Sequence, residues 1–297
     1  MPGIVVVTYN SVEVIETCID ACQRLAVDSI VVVDNASMDG TVQRVSQIAN
    51  VELIANPTNR GFAAAVNQGI AALKTDTVLI LNPDAIPIGG LDALERSALS
   101  EGVGAATGRL IGFDGHDQNG FNIRAFPTAW TLVFEAFGLN RVWPGNPVNR
   151  RYRQATPSTE ENIDQPAGAF LLIRRSAWQE LGGFDEGFFP IWFEDVDFCK
   201  RLKDSGYHIR YTPEAIARHH GGHSATQLPW KERQVFWYGS LLRYASKHLS
   251  IASRRAVGLA VILACFPRML AGMFQFGVSE SVSVYVRVVW LAGRCLR

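Results

Sequence analysis

The stretch "GIVVVTYN" (residues 3–10) predicts a buried strand, because it is a run of β-branched residues that ends in polar ones. A second stretch of this kind, "SIVVVDN" (29–35), follows a helical pattern near residues 11–26. Strands that are apolar on both faces and alternate with helices are typical of parallel sheets covered on both sides. The two stretches therefore predict an α/β fold.

The same alternation continues along the chain. "VELIAN" (51–56) and "TVLILNPD" (77–84) are further strands, with helices predicted near 39–49 and 61–73. Four strand–helix repeats predict a doubly wound, mostly parallel, Rossmann-like sheet over residues 1–110, and ligands of such sheets bind beyond the carboxyl ends of the strands. The polar residues at these ends should therefore open onto one crevice. They are Thr8, Tyr9, Asn10, Asp34, Asn35, Asn56, Asn82 and Asp84.

The remainder of the chain falls into two further parts. Residues 111–165 are rich in Gly, Asn, Pro and Arg, which indicates a loop-rich insertion around one short apolar helix near 129–138. Strand and helix patterns return up to residue 225, and the later residues have helical patterns. We therefore predict three parts, bounded as 1–110, 111–225 and 226–297, the last being a C-terminal helical appendage.

Net charge and cysteine content indicate which partners and which cellular compartment to expect. The 297 residues contain 28 Lys and Arg against 28 Asp and Glu, so nothing in the overall charge favours nucleic acid as a partner. Five cysteines without a CxxC pair favour a reducing compartment. "PGIVVVTYN" leads directly into a strand without a signal-peptide pattern, so we expect a cytoplasmic protein.

The chain after Ser250 is both basic and apolar. It contains six arginines and one acid, Glu280, together with two apolar runs that Pro267 and Arg268 interrupt. Neither run reaches the roughly 20 residues needed to span a bilayer, and Arg268 lies near the middle of the combined segment. This pattern predicts an interfacial anchor on an anionic membrane surface. The alternative is a helix pair that forms a homodimer.

The stretch "FFPIWFEDVDFCKRL" (188–202) places three acids directly behind aromatic residues. Glu194 and Asp195 would lie in the first turn of a helix, where the helix dipole favours an ionised carboxylate that can act as a general base. Their alternative role is to complement the dipole alone. Asp197 is expected to form an i,i+4 ion pair with Arg201.

Other polar stretches are consistent with nucleotide and metal binding, each with a structural alternative. Arg60 and Gly61 begin an alanine-rich helix, an arrangement that suits phosphate or, alternatively, tight helix–sheet packing. Asp84 follows a buried strand, where Mg²⁺ is commonly bound by few carboxylates plus phosphate and water, although Pro-Asp is also a turn signal. "RHHGGHS" (218–224) offers imidazoles, which would favour Mn²⁺. Asp34 suits a nucleoside or, with Ser37 and Asp39, a helix cap.

These stretches, in this order, resemble the inverting family 2 glycosyltransferases of the GT-A fold, and most closely their rhamnosyltransferase-like branch. The resemblance implies transfer of a sugar from a nucleotide diphosphate to a hydroxyl with Mg²⁺ or Mn²⁺. The branch implies L-rhamnose from dTDP-L-rhamnose, with UDP-sugars as alternative donors. It also implies a lipid-linked saccharide acceptor, in cell-envelope polysaccharide biosynthesis at the inner face of the cell membrane. The matching stretches are "VVVTYNS", "VVVDNASMDGT", "NRGFAAAVNQGI", "LILNPDA", "GAFLLIRRSAWQELGGFDEGFFPIWFEDVDFCKRLKDSGY" and "HHGGHS".

The resemblance also implies roles for single residues. Asp34 is expected to pair with the nucleobase, and Asp84 to contact the metal from the last position of the family's D-x-D motif. His219 matches the family's H-x-x-G-x-S motif and is the expected second metal ligand, with His220 as its rival. Asp195, paired with Glu194, is the implied catalytic base. The remaining implied residues are Thr8, Tyr9, Asn10, Asn35, Arg60, Gly61, Asn67 and Asn82 for the donor, and Phe189 and Trp192 for the acceptor.

The same resemblance implies a function for each of the three predicted parts of the chain. Residues 1–110 would bind the nucleotide sugar, residues 111–225 would bind the acceptor and carry the catalytic residues, and residues 226–297 would contact the membrane. Phe188, Phe189, Trp192 and Phe193 would offer apolar faces to sugar rings, with core packing as the alternative role for about half of them. A single carboxylate suffices in this chemistry, because a diphosphate whose charge is offset by a metal leaves without a proton, unlike the alkoxide of a glycosidase.

One departure from the family favours another function. Asn82 replaces the first Asp of D-x-D, which leaves fewer charges for a metal. The alternative is therefore a non-catalytic scaffold, derived from a transferase, that binds nucleotide sugars or glycans. The Q-x-x-R-W motif of processive synthases is absent, which argues against polymerisation.

Overall fold

The structure is a computed structural model that describes residues 1–221 and 227–297. Its strands are β1 Gly3–Thr8, β2 Ser29–Asp34, β3 Glu52–Ala55, β4 Thr77–Leu81, β5 Ala85–Gly89, β6 Val103–Ile111, β7 Ile123–Arg124, β8 Glu161–Ile163, β9 Gln165–Pro166, β10 Phe170–Arg174 and β11 His208–His219. Its helices are α1 Ile15–Gln23, α2 Thr41–Ser46, α3 Phe62–Ala72, α4 Leu91–Leu99, α5 Ala129–Phe137, α6 Leu139–Val142, α7 Pro147–Tyr152, α8 Arg175–Glu180, α9 Glu194–Asp204, α10 Trp230–His248, α11 Ile251–Phe276 and α12 Val278–Arg294.

The four predicted N-terminal strands are confirmed and form the parallel part of a large sheet. β1 pairs in parallel with both β2 and β4, and β2 pairs in parallel with β3. The side chains of β1, β2 and β4 are almost all buried, since helices cover both faces of the sheet. All four strands therefore end at the same edge, which is the geometry that the sequence predicted.

The later strands extend the same sheet. In the described part of the chain it has nine strands, in the order β3-β2-β1-β4-β10-β6-β11-β5, with β8 also paired to β11. β10 is antiparallel to both β4 and β6, so it begins at the edge where β4 ends. β11 is parallel to β6 and antiparallel to β5. Its last residue, His219, lies opposite Ala85, the first residue of β5. A separate pair, β7 and β9, forms a small antiparallel sheet.

The chain divides into two compact units. The first, here called the sheet unit, comprises Met1–Ala125, Gln154–Pro190 and Glu194–Gln227. The second, the helical unit, comprises Phe126–Arg153, Ile191–Phe193 and Leu228–Arg297. Part of the predicted insertion thus groups with the C-terminal helices, and the functions assigned to the three predicted parts remain predictions.

Two local predictions need correction. Helix α2 has Gly40 as its N-cap, and the Asp39 carboxylate accepts a hydrogen bond from the Thr41 N–H in the first turn at 3.0 Å, so Asp39 binds the start of the helix as expected whereas Ser37 does not. The apolar runs around Pro267 form one continuous helix, α11, of 26 residues. Proline removes one hydrogen bond from a helix, but packing of the apolar turns on either side outweighs this loss. By length and composition α11 is apolar enough to cross a membrane, the one such helix among the described residues.

Candidate active site

The carboxyl edge of the parallel strands carries the candidate site. Thr8 and Asp34 are the last residues of β1 and β2, and Asn82 directly follows β4. The N–H of Asn82 donates to the carbonyl of Ala169 at 3.1 Å, one residue before β10 begins. The segment leading into β10 therefore lies at the same edge, beside the end of β4.

Asp34 is completely buried and bound by its neighbours. The Thr8 hydroxyl donates to Asp34 Oδ2 at 2.9 Å, and the Ser37 N–H donates to Oδ1 at the same distance. The Ser37 hydroxyl also donates to Oδ2. Both oxygens thus already accept hydrogen bonds from the loops that follow β1 and β2, which keeps this carboxylate satisfied in the interior. Asp34 fixes the shape of these loops.

An open cleft lies beside these two loops. It has a volume of about 370 Å³ and is lined by Asn10, Val12, Glu13, Met38, Asp39 and Gln227. The side-chain oxygen of Asn10 accepts a hydrogen bond from the Met38 N–H at 2.9 Å, so Asn10 joins the loop after β1 to the loop after β2. Tyr9 is half-buried next to it.

The start of α3 lies close to the same edge. Asn35 donates through Nδ2 to the carbonyl of Gly61 at 3.1 Å. Gly61 has a φ of +83°, and a Cβ there would lie 3.0 Å from the Phe189 ring and 3.3 Å from the Pro190 carbonyl. Only glycine fits this position without strain. The neighbouring Arg60 is exposed, and its side chain has no hydrogen bond or ion pair within the described residues.

Asn67 lies on α3, where its amide groups bind other parts of the protein. Its Nδ2 donates to the Phe184 carbonyl at 2.9 Å and to a Glu186 oxygen at 3.2 Å. Its Oδ1 accepts hydrogen bonds from the Trp178 indole and the Phe184 N–H. An Asn side chain has two donor hydrogens and two acceptor lone pairs, so no hydrogen-bonding capacity remains for a ligand. The geometry thus favours a positioning role over the expected diphosphate contact.

Asp84 and His219 face each other across the end of the sheet. Asp84 Oδ1 lies 3.5 Å from His219 Nε2, and the side-chain nitrogen of Asn82 lies 3.5 Å from the same atom. The Gly221 N–H donates to Asp84 Oδ2 at 3.1 Å. Burial opposes ionisation of Asp84, but His219 and the backbone N–H groups outweigh it and lower the pKa of this carboxyl.

Gln118 orients His219 from the predicted insertion. The two residues lie 2.9 Å apart between Gln118 Oε1 and His219 Nδ1, and Gln118 Nε2 donates to the His219 carbonyl at 2.7 Å. If Nδ1 donates to Gln118, Nε2 is the ring nitrogen that is left to bind a metal beside Asp84. Sequence reasoning missed Gln118, because it lies in a stretch whose only signal is that of a loop.

The two rival histidines differ in environment. His219 is buried and stacks on Phe121, whereas His220 is exposed and stacks on Phe113. The geometry thus favours His219 as the metal ligand. The remaining motif residues, Gly222, His223 and Ser224, lie outside the described residues.

The described residues could bind a metal ion only together with a bound substrate that supplies further metal ligands. No group of three or more His, Cys, Asp or Glu side chains is arranged for metal binding within residues 1–221 and 227–297. However, His219 Nε2 and Asp84 Oδ1 lie 3.5 Å apart, which is longer than a good hydrogen bond. A cation between them would satisfy both, and Mg²⁺ commonly takes its other ligands from substrate phosphates and water.

Asp195 and Glu194 begin helix α9 but differ in environment. The Gly168 N–H donates to Asp195 Oδ2 at 2.9 Å, and the Val196 N–H donates to Oδ1 at 2.8 Å. Asp195 is partly exposed, whereas Glu194 is only 4% exposed and its Oε2 has no partner within the described residues. Burial, followed by the charge of Asp195, raises the pKa of Glu194 well above its usual value. Of the two, only Asp195 has the exposure that a base requires.

The predicted ion pair of Asp197 with Arg201 is confirmed. Arg201 Nε donates to the completely buried Asp197 carboxylate at 2.8 Å. The guanidinium also donates to the carbonyls of Leu181 and Gly183, which joins α9 to the turn after α8. Asp197 is therefore a structural acid in this helix.

The four aromatic residues before α9 separate into two kinds. Phe188 is completely buried, and Phe193 is nearly so, with its ring 5.5 Å from the rings of Trp237 and Tyr244 in the helical unit. Phe189 is 47% exposed and Trp192 is half-buried. Phe189 and Trp192 thus retain apolar faces that a sugar could contact, while the other two pack in the core.

Comparisons with known proteins identify relatives of this chain. The family model described as "Glycosyl transferase family 2" matches residues 3–182, and "Glycosyl transferase family group 2" matches residues 155–294. The chain is 32% identical over 239 residues to the N-acetylglucosaminyl-diphospho-decaprenol L-rhamnosyltransferase of Mycobacterium tuberculosis, covering 74% of this chain and 75% of that protein. It is 26% identical over 124 residues to the rhamnosyltransferase WbbL of Escherichia coli, covering 40% of this chain and 44% of WbbL.

Solved structures show the fold. The mannosyltransferase PcManGT from Pyrobaculum calidifontis, solved in complex with GDP-Man and Mn²⁺, matches with a TM-score of 0.56 at 16% identity, covering 99% of this chain and 84% of that one. TarS of S. aureus, residues 1-349, matches with a TM-score of 0.51 at 14% identity, covering 99% and 92%. The chain therefore has the GT-A fold and belongs to glycosyltransferase family 2, in its rhamnosyltransferase-like branch.

Proposed function

We propose that the chain is an inverting, metal-dependent glycosyltransferase that transfers L-rhamnose from dTDP-L-rhamnose to a hydroxyl of a lipid-linked saccharide. One observation supports this proposal above all. Two adjacent residues join the candidate metal-binding end of β4 to the candidate base, because Ala169 accepts a hydrogen bond from Asn82 and Gly168 donates one to Asp195. A donor diphosphate and an acceptor hydroxyl bound at this edge would lie close together.

Asp195 acts as the general base in this proposal. Its carboxylate takes the proton of the acceptor hydroxyl while the hydroxyl oxygen attacks the anomeric carbon of the sugar. The bond from that carbon to the phosphate oxygen breaks, and the nucleoside diphosphate leaves with the bonding electrons. Attack from the side opposite the leaving group inverts the anomeric centre. The Gly168 and Val196 N–H groups orient the two carboxylate oxygens during this step.

Asp84 and His219 would bind the metal, which offsets the negative charge of the diphosphate when bound. Gln118 keeps the imidazole oriented with Nε2 towards Asp84. The phosphate oxygens of the donor nucleotide would supply further ligands to the metal. Either Mg²⁺ or Mn²⁺ suits such a set of oxygen and nitrogen ligands.

The donor nucleotide would bind between the loops that follow β1 and β2. Thr8, Asn10 and Asp34 shape this region, and the cleft of about 370 Å³ provides room for part of a nucleotide. The exposed Arg60, at the start of α3, is available to the diphosphate. UDP-sugars are the alternative donors.

The acceptor and the location follow from the relatives and from the helical unit. The name of the Mycobacterium tuberculosis relative includes a decaprenol-linked diphosphate sugar, which supports a lipid-linked acceptor in cell-envelope polysaccharide synthesis. We place the protein in the cytoplasm, peripheral on the inner face of the cell membrane. The basic and apolar C-terminal helices would contact the anionic leaflet.

A thermal-shift screen tests the donor directly. Purified protein is mixed with dTDP-rhamnose, UDP-sugars or GDP-sugars, each with and without Mn²⁺ or Mg²⁺. The true donor stabilises the folded chain by mass action, so dTDP-rhamnose with metal is expected to raise the melting temperature most. A larger shift with a UDP-sugar would replace the donor in this proposal.

Asn82 favours the alternative of a non-catalytic scaffold, and donor turnover separates the two. The proposed enzyme releases dTDP faster when Mn²⁺ and a polyprenyl-linked acceptor are present. A scaffold would bind the donor without releasing dTDP under any of these conditions.

A further inference from the structure

Two short helices of the predicted insertion, α5 and α6, expose large apolar side chains. Trp130 is 68% exposed, Val142 is 84% exposed and the adjoining Trp143 is 60% exposed. The opposite side of α5 packs normally, with Leu132 and Ala136 buried. Single exposed apolar side chains are normal on a protein surface, but several large ones close together in sequence indicate an interaction surface.

Charge indicates what covers them. The helical unit, which contains both helices, has 14 Lys and Arg residues against 3 Glu, whereas the sheet unit has 14 Lys and Arg against 25 Asp and Glu. Exposed arginines occur close to these aromatic residues in the sequence, at Arg141 in α6 and at Arg150 and Arg151 in α7. Tryptophan together with arginine is the combination found where proteins contact the headgroup region of a bilayer.

Helix α5 is joined to the long apolar helix α11. The Arg268 guanidinium of α11 donates from Nε and from one terminal nitrogen to the Ala136 carbonyl in the last turn of α5, at 3.2 and 3.0 Å. A cation at the carboxyl end of a helix is favourable for the helix dipole. This contact accounts for an arginine within an apolar helix. The exposed residues of α11 lie at helical spacing on one face, as Leu259, Leu263, Phe266, Leu270 and Phe274.

We propose that α5 and α6 are a second membrane-binding element, whose Trp130, Val142 and Trp143 enter the headgroup region of an anionic bilayer while Arg141, Arg150 and Arg151 contact lipid phosphates. This inference extends the proposed peripheral location. It takes from the proposed function only the identity of the membrane, the inner face of the cell membrane. It assigns membrane contact to a segment that the sequence placed in the acceptor-binding part.

Vesicle flotation tests the proposal with the full-length protein and no nucleotide. Vesicles of phosphatidylcholine with a large fraction of phosphatidylglycerol should float the wild-type protein, and pure phosphatidylcholine vesicles should float much less of it. The double variant Trp130→Ala/Trp143→Ala should bind the anionic vesicles roughly tenfold more weakly, because it loses two large apolar contacts. Arg141→Glu should weaken binding to the anionic vesicles only.

Leu99→Ala, an exposed apolar residue of α4 in the sheet unit, is the matched control and should float like the wild type. Circular dichroism and the melting temperature check that each variant is folded. Unchanged flotation of the folded double variant overturns the proposal. A wild-type dimer that the double variant converts to a monomer, without a change in flotation, would assign the surface to a second copy of the chain and also overturn it. Failure of the donor screen would leave the flotation result unaffected.

Discussion

The sheet unit and the helical unit use their side chains in opposite ways. Among the described residues, 23 large apolar side chains are exposed, and 17 of them belong to the helical unit, which has roughly a third of the chain. The sheet unit has an excess of acids, and the helical unit an excess of cations. In the sheet unit the carboxylates of Asp34, Asp195 and Asp197 each accept hydrogen bonds from neighbouring groups, whereas Glu194 Oε2 has no partner within the described residues.

Substitutions in the two units should therefore have different effects. A buried polar group is costly unless it is paired, so each contact around the site specifies one geometry, and its loss has a large and local effect. Apolar surface contributes in proportion to its area, so a single change in the helical unit has a smaller and more additive effect.

Asp195→Asn is expected to have the largest effect. Removal of the proposed base should lower the rate of rhamnosyl transfer by about 10²- to 10⁴-fold, because the acceptor hydroxyl is no longer deprotonated. Donor binding and vesicle flotation should be unchanged. Transfer is measured with dTDP-rhamnose and a polyprenyl-linked acceptor, and the exposed Asp204→Asn in the same helix is the control. A rate close to that of the wild type would remove Asp195 from the mechanism.

Asp197→Ala should mainly affect stability. It leaves Arg201 without its buried carboxylate, and loss of one partner of a buried pair costs about 3 kcal/mol. Asp204→Ala breaks the exposed ion pair with Lys200 in the same helix and should cost no more than about 0.5 kcal/mol. Urea unfolding measures both. Equal losses in the free energy of unfolding would show that burial does not determine how much each ion pair stabilises the fold.

Gln118→Ala should weaken metal binding while leaving the fold intact. Loss of the partner that orients a ligating histidine typically lowers metal affinity by about 10- to 100-fold. Titration of Mn²⁺ in the presence of dTDP, followed by electron paramagnetic resonance, measures the affinity directly. The exposed Gln179→Ala serves as the control. An unchanged affinity would mean that His219 needs no such support or is not a ligand.

Apart from the control variants, Arg268→Met should have the smallest effect. It removes two hydrogen bonds to Ala136 but keeps an apolar side chain, so the expected loss of stability is about 1 kcal/mol. The same urea experiment measures it. A loss as large as that of Asp197→Ala would contradict the contrast between the two units, because it would place a polar network at the centre of the helical one.

Sequence patterns predicted the strands that form from local runs. β1 to β4 follow from β-branched stretches and their polar ends, and the same ends correctly placed Thr8, Asp34 and Asn82 at one edge. The i,i+4 pair of Asp197 was also predictable, since it depends only on helical spacing.

Contacts between distant parts of the chain could not be predicted in this way. Gln118 meets His219 across 101 residues, and nothing local to either residue indicates this contact. Asn67 looked like a ligand residue, but its amide is used by a turn more than a hundred residues away. The continuity of α11 depends on packing within the helical unit, which outweighs the local preference of Pro267.

The hydrogen bonds of Asp195 come from the main chain, at Gly168 and Val196. A backbone N–H persists whatever side chain is attached to it, although Gly168 itself has little room for one. Substitution of the side chains around Asp195 therefore leaves in place the two donors that orient its carboxylate. If Asp195 is the base, as proposed, the acceptor can change without loss of the group that activates its hydroxyl.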